Sequence, residues 1–457
     1  MKIVILGAGQ VGSTVAESLV SEANDITVVD VDGSRLRNLQ DRLDLRTVIG
    51  SGAHPSVLVQ AGIEDCDLMI AVTQSDETNL VACRLAQQLF NVPTRIARLR
   101  ATDYLTNERV LGPDCFDVDL AICPEQVLTD YIVKLVEFPE ALQVLEFANG
   151  KVSLVAVRAF QGGPLVGHPL KDLRKHIPSV DARIAAIFRG DSPILPEGDT
   201  VVQAGDEVFC LAATEDIRQV MRELRRTDKP VSRVMIAGGG NIGLRLARAV
   251  ERDYSVKIIE YDKKRCEMLS TRLDRALVLQ GDVTDEGLLE TENVADMDLF
   301  VAVTNDDENN IMSCLLAKRM GARRVVALIN RRSYVDLLQA GEIDIAISPA
   351  QATIGTLLAH VRRGHVTQVH SLRRGVAEAL EAVVHGDRDS CRCVGRKIEE
   401  VDLPKGAAIA AIVRGDKAIM AHHDTVVQAE DHVIVFVTDK KLLPKVEKLF
   451  EVSAGFV

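Results

Sequence analysis

The 457-residue sequence has no run of about 20 apolar residues, which is the length that a membrane-spanning helix needs. Its first apolar stretch, Ile3 to Leu6, is too short for the core of a signal peptide and leads straight into a glycine-rich loop. We therefore expect no direct membrane insertion, so any role at a membrane has to pass through a partner.

Positive charge is also scarce, because 54 Lys and Arg face 66 Asp and Glu, a net charge of −12. Nucleic-acid binders normally carry a clustered basic face, so we expect no nucleic-acid partner. The nine cysteines are an odd number that fits no disulfide framework, and this predicts a reducing cytoplasm.

Cys391 and Cys393 could form half of a thiolate metal site. No second Cys or His pair accompanies them at the spacing of a zinc site, so we expect no metal. His422 and His423 precede a turn and are expected at the surface. A locally basic segment is expected to be a solvated connector, with an acidic partner surface as the minority alternative; it contains Arg362, Arg363, His365, His370, Arg373 and Arg374.

What the chain does contain is a repeat. A glycine motif follows an apolar run near the N-terminus and returns 231 positions later behind a second apolar run. One such motif is weak support for a nucleotide pocket, whereas a duplicated one with matching flanks is unlikely to arise by chance. The two copies are Gly7-Ala8-Gly9-Gln10-Val11-Gly12 and Gly238-Gly239-Gly240-Asn241-Ile242-Gly243.

Short β-branched runs alternate with amphipathic stretches over the first 120 residues, which predicts a doubly wound parallel sheet. The predicted strands are Ile3 to Leu6, Ile26 to Val29, Thr47 to Ile49, Leu68 to Val72, Arg95 to Leu99 and Leu120 to Ile122; predicted helices include Gly12 to Glu22 and Asn79 to Leu89.

The remaining segments repeat as well. Asp67 to Asn79 matches Asp298 to Asn310, and Ala185 to Asp191 matches Ala410 to Asp416. The fold class is therefore α/β, with two Rossmann-like sheets that are each followed by a small α+β domain. The predicted boundaries are 1–123 for the first Rossmann-like domain, 124–141 for a linker helix, 142–227 for the first small domain, 232–349 for the second Rossmann-like domain, 350–367 for its linker helix and 368–453 for the second small domain.

The glycines permit a tight turn and close approach of the backbone to a pyrophosphate at a helix N-terminus. Asp30 ends the second predicted strand, where a carboxylate can bind the ribose hydroxyl pair of an adenosine and repel the extra phosphate of NADP. Glu260 holds that position in the second copy. The alternative is that the glycines merely close a strand-to-helix turn. For Asp32 and Asp262, helix capping or surface charge is the better interpretation.

Other candidate ligand groups follow the third, fourth and fifth strands, at the carboxyl edge of the sheet. Thr73, Gln74, Thr304 and Asn305 could hydrogen-bond a ligand, although Thr73, Ser75, Asp76 and Asp307 could instead cap the next helix. Ser51 and Asp282 could border the ribose. Arg98 and Arg100 could reach a phosphate or form salt bridges, and the second copy has Leu328 and Asn330 there.

The small domains share no His, Lys or Cys at matched positions that could serve as a general acid or base. Duplicated binding modules without such chemistry favour a regulator, in which a ligand selects one arrangement of domains. An NAD-dependent oxidoreductase and a scaffold with vestigial pockets remain as alternatives.

The order of these motifs, given twice over essentially the whole chain, resembles the TrkA family of bacterial Trk potassium-uptake systems, which are built from two tandem RCK units. The resemblance implies binding of NAD(H), binding of ATP or ADP at one or more sites, and a ring of RCK units. It further implies a cytoplasmic subunit, peripheral on the inner face of the cell membrane, beneath a potassium-translocating membrane subunit. It places Gly7 to Val11, Asp30, Thr73, Gln74 and Arg98 in the first pocket and Gly238 to Ile242, Glu260, Thr304 and Asn305 in the second.

Overall fold

The structure is a computed structural model that describes residues 1–20, 24–190, 192–194, 196–225, 230–331, 334, 343–361, 365–372 and 377–452. Four β-sheets follow one another along these residues: a six-stranded parallel sheet, a five-stranded antiparallel sheet, and then the same pair again. The predicted fold class is therefore confirmed. The predicted end of the first helix at Glu22 lies outside the described residues, as do the predicted domain ends at residues 227 and 453.

The first large domain is a parallel sheet with helices on both faces. Its strands are β1 Lys2–Leu6, β2 Asp25–Asp30, β3 Arg46–Ile49, β4 Leu68–Ala71, β5 Thr94–Arg98 and β6 Leu120–Ile122. Its helices are α1 Gln10–Val20, α2 Gly33–Gln40, α3 Pro55–Gln60, α4 Asp76–Phe90, α5 Thr102–Leu105 and α6 Glu108–Leu111. The strand order is β3-β2-β1-β4-β5-β6, so the chain reverses direction across the sheet between β1 and β4, which is where sheets of this kind bind ligands.

A linker helix, α7 Pro124–Glu137, leads to the first small domain. The small domain consists of β7 Ala141–Phe147, β8 Val152–Arg158, α8 Leu173–His176, β9 Ala182–Arg189, β10 Ser192–Ile194, β11 Glu207–Ala213 and α9 Ile217–Leu224. Its strands pair in the order β10-β9-β11-β8-β7. The buried stripe of α9, which includes Ile217, Val220 and Leu224, covers one face of this sheet.

The second half repeats this plan. Its large domain contains β12 Arg233–Ala237, α10 Asn241–Val250, β13 Ser255–Glu260, α11 Lys263–Arg272, β14 Leu277–Gln280, α12 Glu286–Thr291, β15 Leu299–Ala302, α13 Asp307–Met320, β16 Val325–Leu328 and β17 Ile345–Ile347. The linker helix α14 Pro349–Val361 leads to a small domain of β18 Val366–Leu372, β19 Ala377–Val383, β20 Ala407–Arg414, β21 Lys417–Met420, β22 His432–Val437 and α15 Leu443–Phe450. The sheet orders are β14-β13-β12-β15-β16-β17 and β18-β19-β22-β20-β21.

Both linker helices are shorter than the predicted ranges 124–141 and 350–367. In the first, Phe138 leaves the helical conformation with φ −121° and ψ 73°, because the residue before a proline disfavours the helical region. The strand β7 then begins at Ala141. In the second, α14 ends at Val361, residues 362–364 lie outside the described part of the chain, and β18 already begins at Val366.

Each linker helix packs on the large domain of the other half. Leu128, Ile132 and Leu135 of α7 belong to the core of the second large domain, where α7 lies along α10. Leu357 and Leu358 of α14 belong to the core around the first large sheet, where α14 lies along α1. The apolar stripes of the two linker helices are therefore buried by exchange between the halves.

The two small sheets also share one core. Phe147, Phe188 and Phe209 of the first sheet pack in the same cluster as Phe436 of the second, and the rings of Phe209 and Phe436 are 6.2 Å apart. The exchange and this shared core make the four domains one connected body. In the part of the chain that the structure describes, no helix combines the length and the apolar character needed to cross a bilayer.

A buried cation fixes the edge of the first large sheet. Arg95 in β5 is only 5% exposed, and its Nη2 lies 3.2 Å from Asp117 and 2.9 Å from Asp119. Its Nη1 donates to the side chain of Gln87 on α4 at 2.6 Å. The guanidinium thus neutralises two carboxylates that would otherwise lie uncompensated beside an apolar core.

The second large domain neutralises the matching carboxylate from another direction. Val325 replaces the strand arginine, and Lys318 of α13 stands at the position of Gln87. Its Nζ lies 2.7 Å from Asp344, the counterpart of Asp119. The positive charge has therefore moved from the strand to the helix between the two copies, while the carboxylate has stayed.

This relocation predicts a rescue. Arg95→Met should lower the free energy of unfolding by about 2 kcal/mol, because it leaves Asp117 and Asp119 without their cation. This loss is smaller than that for a fully buried ion pair, because both carboxylates are partly exposed. Adding Gln87→Lys should restore most of the loss, whereas Gln88→Lys, the same charge on an exposed neighbour, should not. Thermal unfolding of the three variants is the measurement, and equal midpoints for the two double variants would contradict this account.

Candidate functional site

The two glycine loops have the same backbone geometry. Gly7 and Gly238 adopt φ of +107° and +108°, a region that side chains rarely occupy. A Cβ on Gly12 would lie 1.9 Å from the carbonyl oxygen of Gly7, and one on Gly243 would lie 1.9 Å from that of Gly238. Four glycines are therefore required by the turn itself, whatever the loop binds.

The middle glycines are different, because the loop does not need them. A Cβ on Gly9 would meet nothing within 4 Å, and the nearest atom to one on Gly240 is Nη1 of Arg265 at 3.7 Å. Each middle glycine leaves open space in front of the N-terminus of α1 or α10. An anionic group can approach the backbone N–H groups there, which is how such loops cradle a phosphate.

Asp30 and Glu260 each tie their glycine loop to the following turn. Both oxygens of each carboxylate accept one backbone N–H, and further lone pairs remain for a ligand hydroxyl. The four bonds are Ala8 to Asp30 at 2.6 Å, Asp32 to Asp30 at 2.8 Å, Gly239 to Glu260 at 2.8 Å and Asp262 to Glu260 at 2.9 Å. The acids at the strand ends therefore shape the loops as well as offering acceptors.

The capping interpretation of Asp32 and Asp262 is confirmed. Asp32 accepts the backbone N–H of Ser34 at 2.9 Å at the start of α2, and Asp262 accepts that of Arg265 at 2.8 Å at the start of α11. Next to each acid stands an exposed apolar residue that sequence reasoning missed: Val31 is 72% exposed and Tyr261 is 77% exposed. Such surfaces are suited to lie against a planar base.

The threonines after the fourth strands are held by two buried asparagines that sequence reasoning also missed. Thr73 donates its hydroxyl to Oδ1 of Asn79 at 2.7 Å, and Nδ2 of Asn79 donates to the carbonyl of Arg98 at 2.8 Å. Thr304 and Asn310 repeat the first bond at 2.7 Å. The threonine protons are thus used within the protein. The spacing of the repeat was a usable signal, because both asparagines end the duplicated segment.

Ser75 and Asp306, which directly precede Asp76 and Asp307, cap the helices α4 and α13. Ser75 accepts the N–H of Thr78 at 3.1 Å, and Asp306 accepts that of Asn309 at 2.7 Å. The capping alternative is therefore confirmed for Ser75 and wrong for Asp76 and Asp307. They reach instead to the end of the fifth strands, where they accept backbone N–H groups of Arg100 and Ala101 at 2.9 Å each, and of Asn330 and Arg331 at 2.8 Å each.

Ser51 and Asp282 form local turns after the third strands. Ser51 accepts the N–H of Ala53 at 3.4 Å, and Asp282 accepts both the N–H and the hydroxyl of Thr284 at 2.8 and 2.7 Å. These hydrogen bonds lower the pKa of Asp282. The two residues match in position but differ in charge at the edges of their sites.

The two glycine loops open on one interdomain cavity with a volume of about 640 Å³. Candidate residues that line it are Gly7, Gly9, Gln10, Val11, Asp30, Ser51, Thr73, Gln74, Arg98, Gly240, Asn241, Ile242 and Asn305. Candidates outside its lining are Ala8, Gly12, Gly238, Gly239, Gly243, Glu260, Asp282 and Thr304. The cavity therefore centres on the first copy, with the loop tip of the second copy as its opposite wall. A larger cavity of about 1410 Å³ lies beside α7 and the first small domain, away from both loops.

The two sides of the interdomain cavity carry different charged groups. Arg98 donates to Glu125 of α7 at 3.1 Å, and Nε of Arg100 lies 3.7 Å from the same carboxylate. Burial lowers the pKa of Arg98, with the charge of Arg100 as a smaller contribution in the same direction. The second copy has Leu328, Asn330 and Ala350 at the matching positions, so only the first site carries this cluster.

The halves also touch directly across the cavity. Gln10 at the first loop tip donates to the backbone carbonyl of Asn330. Arg245 on α10 donates to the carbonyl of Arg100 at 2.8 Å and to the side chain of Gln126 at 2.9 Å. Helices α1 and α10, which follow the two glycine loops, therefore each contact the end of the fifth strand in the opposite copy. The donor is a glutamine on α1 and an arginine on α10.

Two features outside the cavity can be placed. The thiols of Cys391 and Cys393 are buried and donate to the carbonyl of Leu449 at 3.5 and 2.9 Å. His422 and His423 are exposed, as expected. Within the described ranges no cluster of three or more His, Cys, Asp or Glu is arranged to hold a metal ion.

The expectation of a solvated basic connector is wrong for His370. Its ring packs edge-on against Phe147 with centroids 5.0 Å apart, and burial lowers its pKa to about 4. Strand β18, not a connector, carries it into the interface between the small sheets. The arginines at 362, 363, 373 and 374 lie outside the described residues.

The chain is similar to known proteins. The family model described as TrkA-N domain matches residues 3–124 and 234–349, and the one described as TrkA-C domain matches residues 154–225 and 388–450. The Trk system potassium uptake protein TrkA of Halomonas elongata is 59% identical over 456 residues, and that of Vibrio alginolyticus is 54% identical over 458 residues; each alignment covers 100% of both chains. A solved structure described as the GsuK channel bound to NAD has a TM-score of 0.62 at 18% identity and covers 98% of this chain and 78% of its own, a likeness of fold.

The glycine geometry predicts different outcomes at two neighbouring positions. Gly12→Ala should destabilise the chain by about 3 kcal/mol, because its Cβ would collide with the carbonyl of Gly7. Gly9→Ala should leave thermal unfolding close to that of the wild type, since its Cβ enters open space. Thermal unfolding midpoints test this pair, and an equal loss in both variants would contradict the division between turn and cradle glycines.

Proposed function

The chain belongs to the TrkA family, and on this premise we propose that it is a nucleotide-sensing regulatory subunit of a potassium-uptake system. It binds NAD(H) in its large domains and ATP or ADP at one or more of the same sites. The observation that carries this proposal is the pair of glycine cradles that open on one cavity between two halves of the chain. A ligand in that cavity contacts both halves and therefore favours one arrangement of them.

NAD(H) suits the first cradle for three reasons. Gly9 leaves space for a pyrophosphate at the N-terminus of α1. Asp30 keeps acceptor capacity for the two ribose hydroxyls, and its charge repels the additional phosphate of NADP. Val31 offers an exposed apolar surface beside it for the adenine. The same three features recur at Gly240, Glu260 and Tyr261.

A more anionic ligand, ATP or ADP, suits the first site better than the second. Arg98 and Arg100 line the cavity on the side of the first copy, and Leu328 and Asn330 take their places in the second. Guanidinium groups form short, strong hydrogen bonds with phosphate oxygens. The two sites therefore differ in the ligand charge that they accept.

Binding without turnover is supported by the side chains at hand. Among the described residues that line the cavity there is no His, Lys, Cys or Tyr, and the carboxylates of Asp30 and Glu125 are engaged with backbone N–H groups and Arg98. An oxidoreductase places an acid or base beside its cofactor. These residues suit recognition of a nucleotide.

The relatives support a membrane partner. The Halomonas elongata and Vibrio alginolyticus proteins are named as Trk system potassium uptake proteins and match this chain along its full length. We expect this chain to act in the same kind of system, as a cytoplasmic ring of RCK units, peripheral on the inner face of the cell membrane. Its partner is then a potassium-translocating membrane subunit, and nucleotide binding changes transport by changing the arrangement of the ring.

Calorimetry with NADH tests the cofactor. Asp30→Ala should weaken binding at the first site by about 30-fold, because a carboxylate that orders the loop and accepts from the ribose is lost. Glu260→Ala should do the same at the second site. Asp32→Ala is the matched control, since it removes the same charge two residues away from a side chain outside the cavity. NADPH should bind the wild type at least about tenfold more weakly than NADH. Unchanged NADH binding in both site variants would refute the proposal.

Purification from membranes tests the partner. Affinity-tagged chain, incubated with detergent-solubilised membranes of its own organism, should retain a potassium-translocating integral protein, and NADH or ATP should change the amount retained. Gly9→Ala should retain the same protein without the nucleotide response, because an added methyl group fills the cradle. Absence of any potassium transporter from the wild-type eluate would contradict the proposed role.

A further inference from the structure

The ion cluster in the first pocket is a built anion site that already contains an anion. The carboxylate of Glu125 receives a 3.1 Å hydrogen bond from Nη2 of Arg98, and both side chains are mostly buried, at 15% and 13% exposed. Nε of Arg100 lies 3.7 Å from the same oxygen, beyond hydrogen-bond distance. The Nε atoms of Arg98 and Arg100 are buried and have no hydrogen-bond partner in the described part of the chain. Two guanidinium groups thus share one carboxylate, and donor capacity is left over.

The position of Glu125 adds to this. It lies in the first turn of α7, where the positive end of a helix favours negative charge. Glu125, Arg98 and Arg100 all line the interdomain cavity that the first glycine loop faces. The carboxylate therefore occupies a place in the pocket that favours an anion.

The second copy lacks every member of the cluster. Leu328, Asn330 and Ala350 stand at the positions of Arg98, Arg100 and Glu125. A purely structural salt bridge could lose one partner only at the cost of an unpaired buried charge, so joint replacement is expected. As a result, only one of two otherwise matching pockets carries these three charged groups.

We propose that Glu125 is a specificity-determining residue of the first pocket, which occupies the place of a ligand phosphate and competes with that phosphate for Arg98. The inference rests on the proposed nucleotide binding. Displacement exchanges one anion for another at the same guanidinium, so a ligand gains affinity only when its own charge outcompetes the carboxylate. Glu125 thereby makes the first pocket discriminate among adenine nucleotides by their charge.

Glu125 lies on the linker helix α7, which contacts the other half of the chain. Helix α7 packs along α10, and the residue after Glu125, Gln126, accepts a hydrogen bond from Arg245 of α10 at 2.9 Å. A phosphate that takes the place of Glu125 therefore acts at the start of the linker helix, beside the helix that forms the second cradle.

The test is calorimetry of the full chain with adenosine and ATP in chelator-treated buffer of fixed ionic strength. A Glu260→Ala background weakens the second site, so that the first dominates. Glu125→Gln should tighten ATP binding by about tenfold, because Arg98 is freed from its internal partner, and should leave adenosine binding unchanged. Asp130→Asn, which removes the same charge from an exposed position on the same helix, should change ATP binding by less than about twofold.

A double variant separates release of Arg98 from simple loss of repulsion. In an Arg98→Gln background, Glu125→Gln should bring less than about a twofold gain, because the guanidinium that is hydrogen-bonded to Glu125 is absent and Arg100 lies beyond hydrogen-bond distance of the carboxylate. This double variant also removes both members of the hydrogen-bonded pair, so it serves if the single variant folds poorly, which thermal unfolding will reveal. Weaker or unchanged ATP binding in Glu125→Gln, or an equal gain with and without Arg98, would overturn the inference alone. A wild-type chain that binds no nucleotide would overturn the proposed function and this inference with it.

Discussion

The exchange of the two linker helices is the constraint on which the rest of the structure depends. The apolar stripe of α7 cannot stay in water, and it is buried by the second large domain, as that of α14 is by the first. Two crossings in opposite directions hold the large domains face to face. The glycine loops consequently open on a common cavity, and the small sheets, carried at the far ends of the same helices, are brought into one core. A single chain thus obtains the geometry of a two-fold dimer.

Duplication within one chain also frees the two copies to differ. In an association of identical chains every substitution appears twice, whereas here each pocket changes independently. The replacements are coherent: where Arg95 gives way to Val325, Lys318 supplies the cation for Asp344. Where the second copy has no charged counterpart, as at Leu328, the neighbouring charged partners are absent too. Coupled changes of this kind are expected of groups whose energies are not additive.

Much of the fold could be predicted from the sequence, because buried parallel strands read as short apolar runs and a repeat doubles each observation. The cradle residues around Gly9 and Asp30 were accessible for the same reason. The linker helices were predicted too long, and strand β7 was missed. The reason is that a short apolar stretch next to a helix does not show where the helical period ends and the strand period begins. Local pattern also cannot tell which surface buries a stripe, so neither the exchange nor the shared cavity was foreseen. Asn79 was overlooked because a buried polar residue leaves no mark in a hydrophobic pattern.

The cross-contacts show why this arrangement suits a sensor. Gln10 and Arg245 each bind the carbonyl at the end of the opposite fifth strand, at Asn330 and Arg100. A ligand that reshapes one cradle therefore acts on the wall of the other, and linkage requires the influence to be reciprocal for binding. With identical pockets such coupling would only sharpen one response. If the two pockets bind ligands of different charge, as proposed, this coupling joins two different inputs. Their joint effect then passes through the linker helices, which each contact both halves.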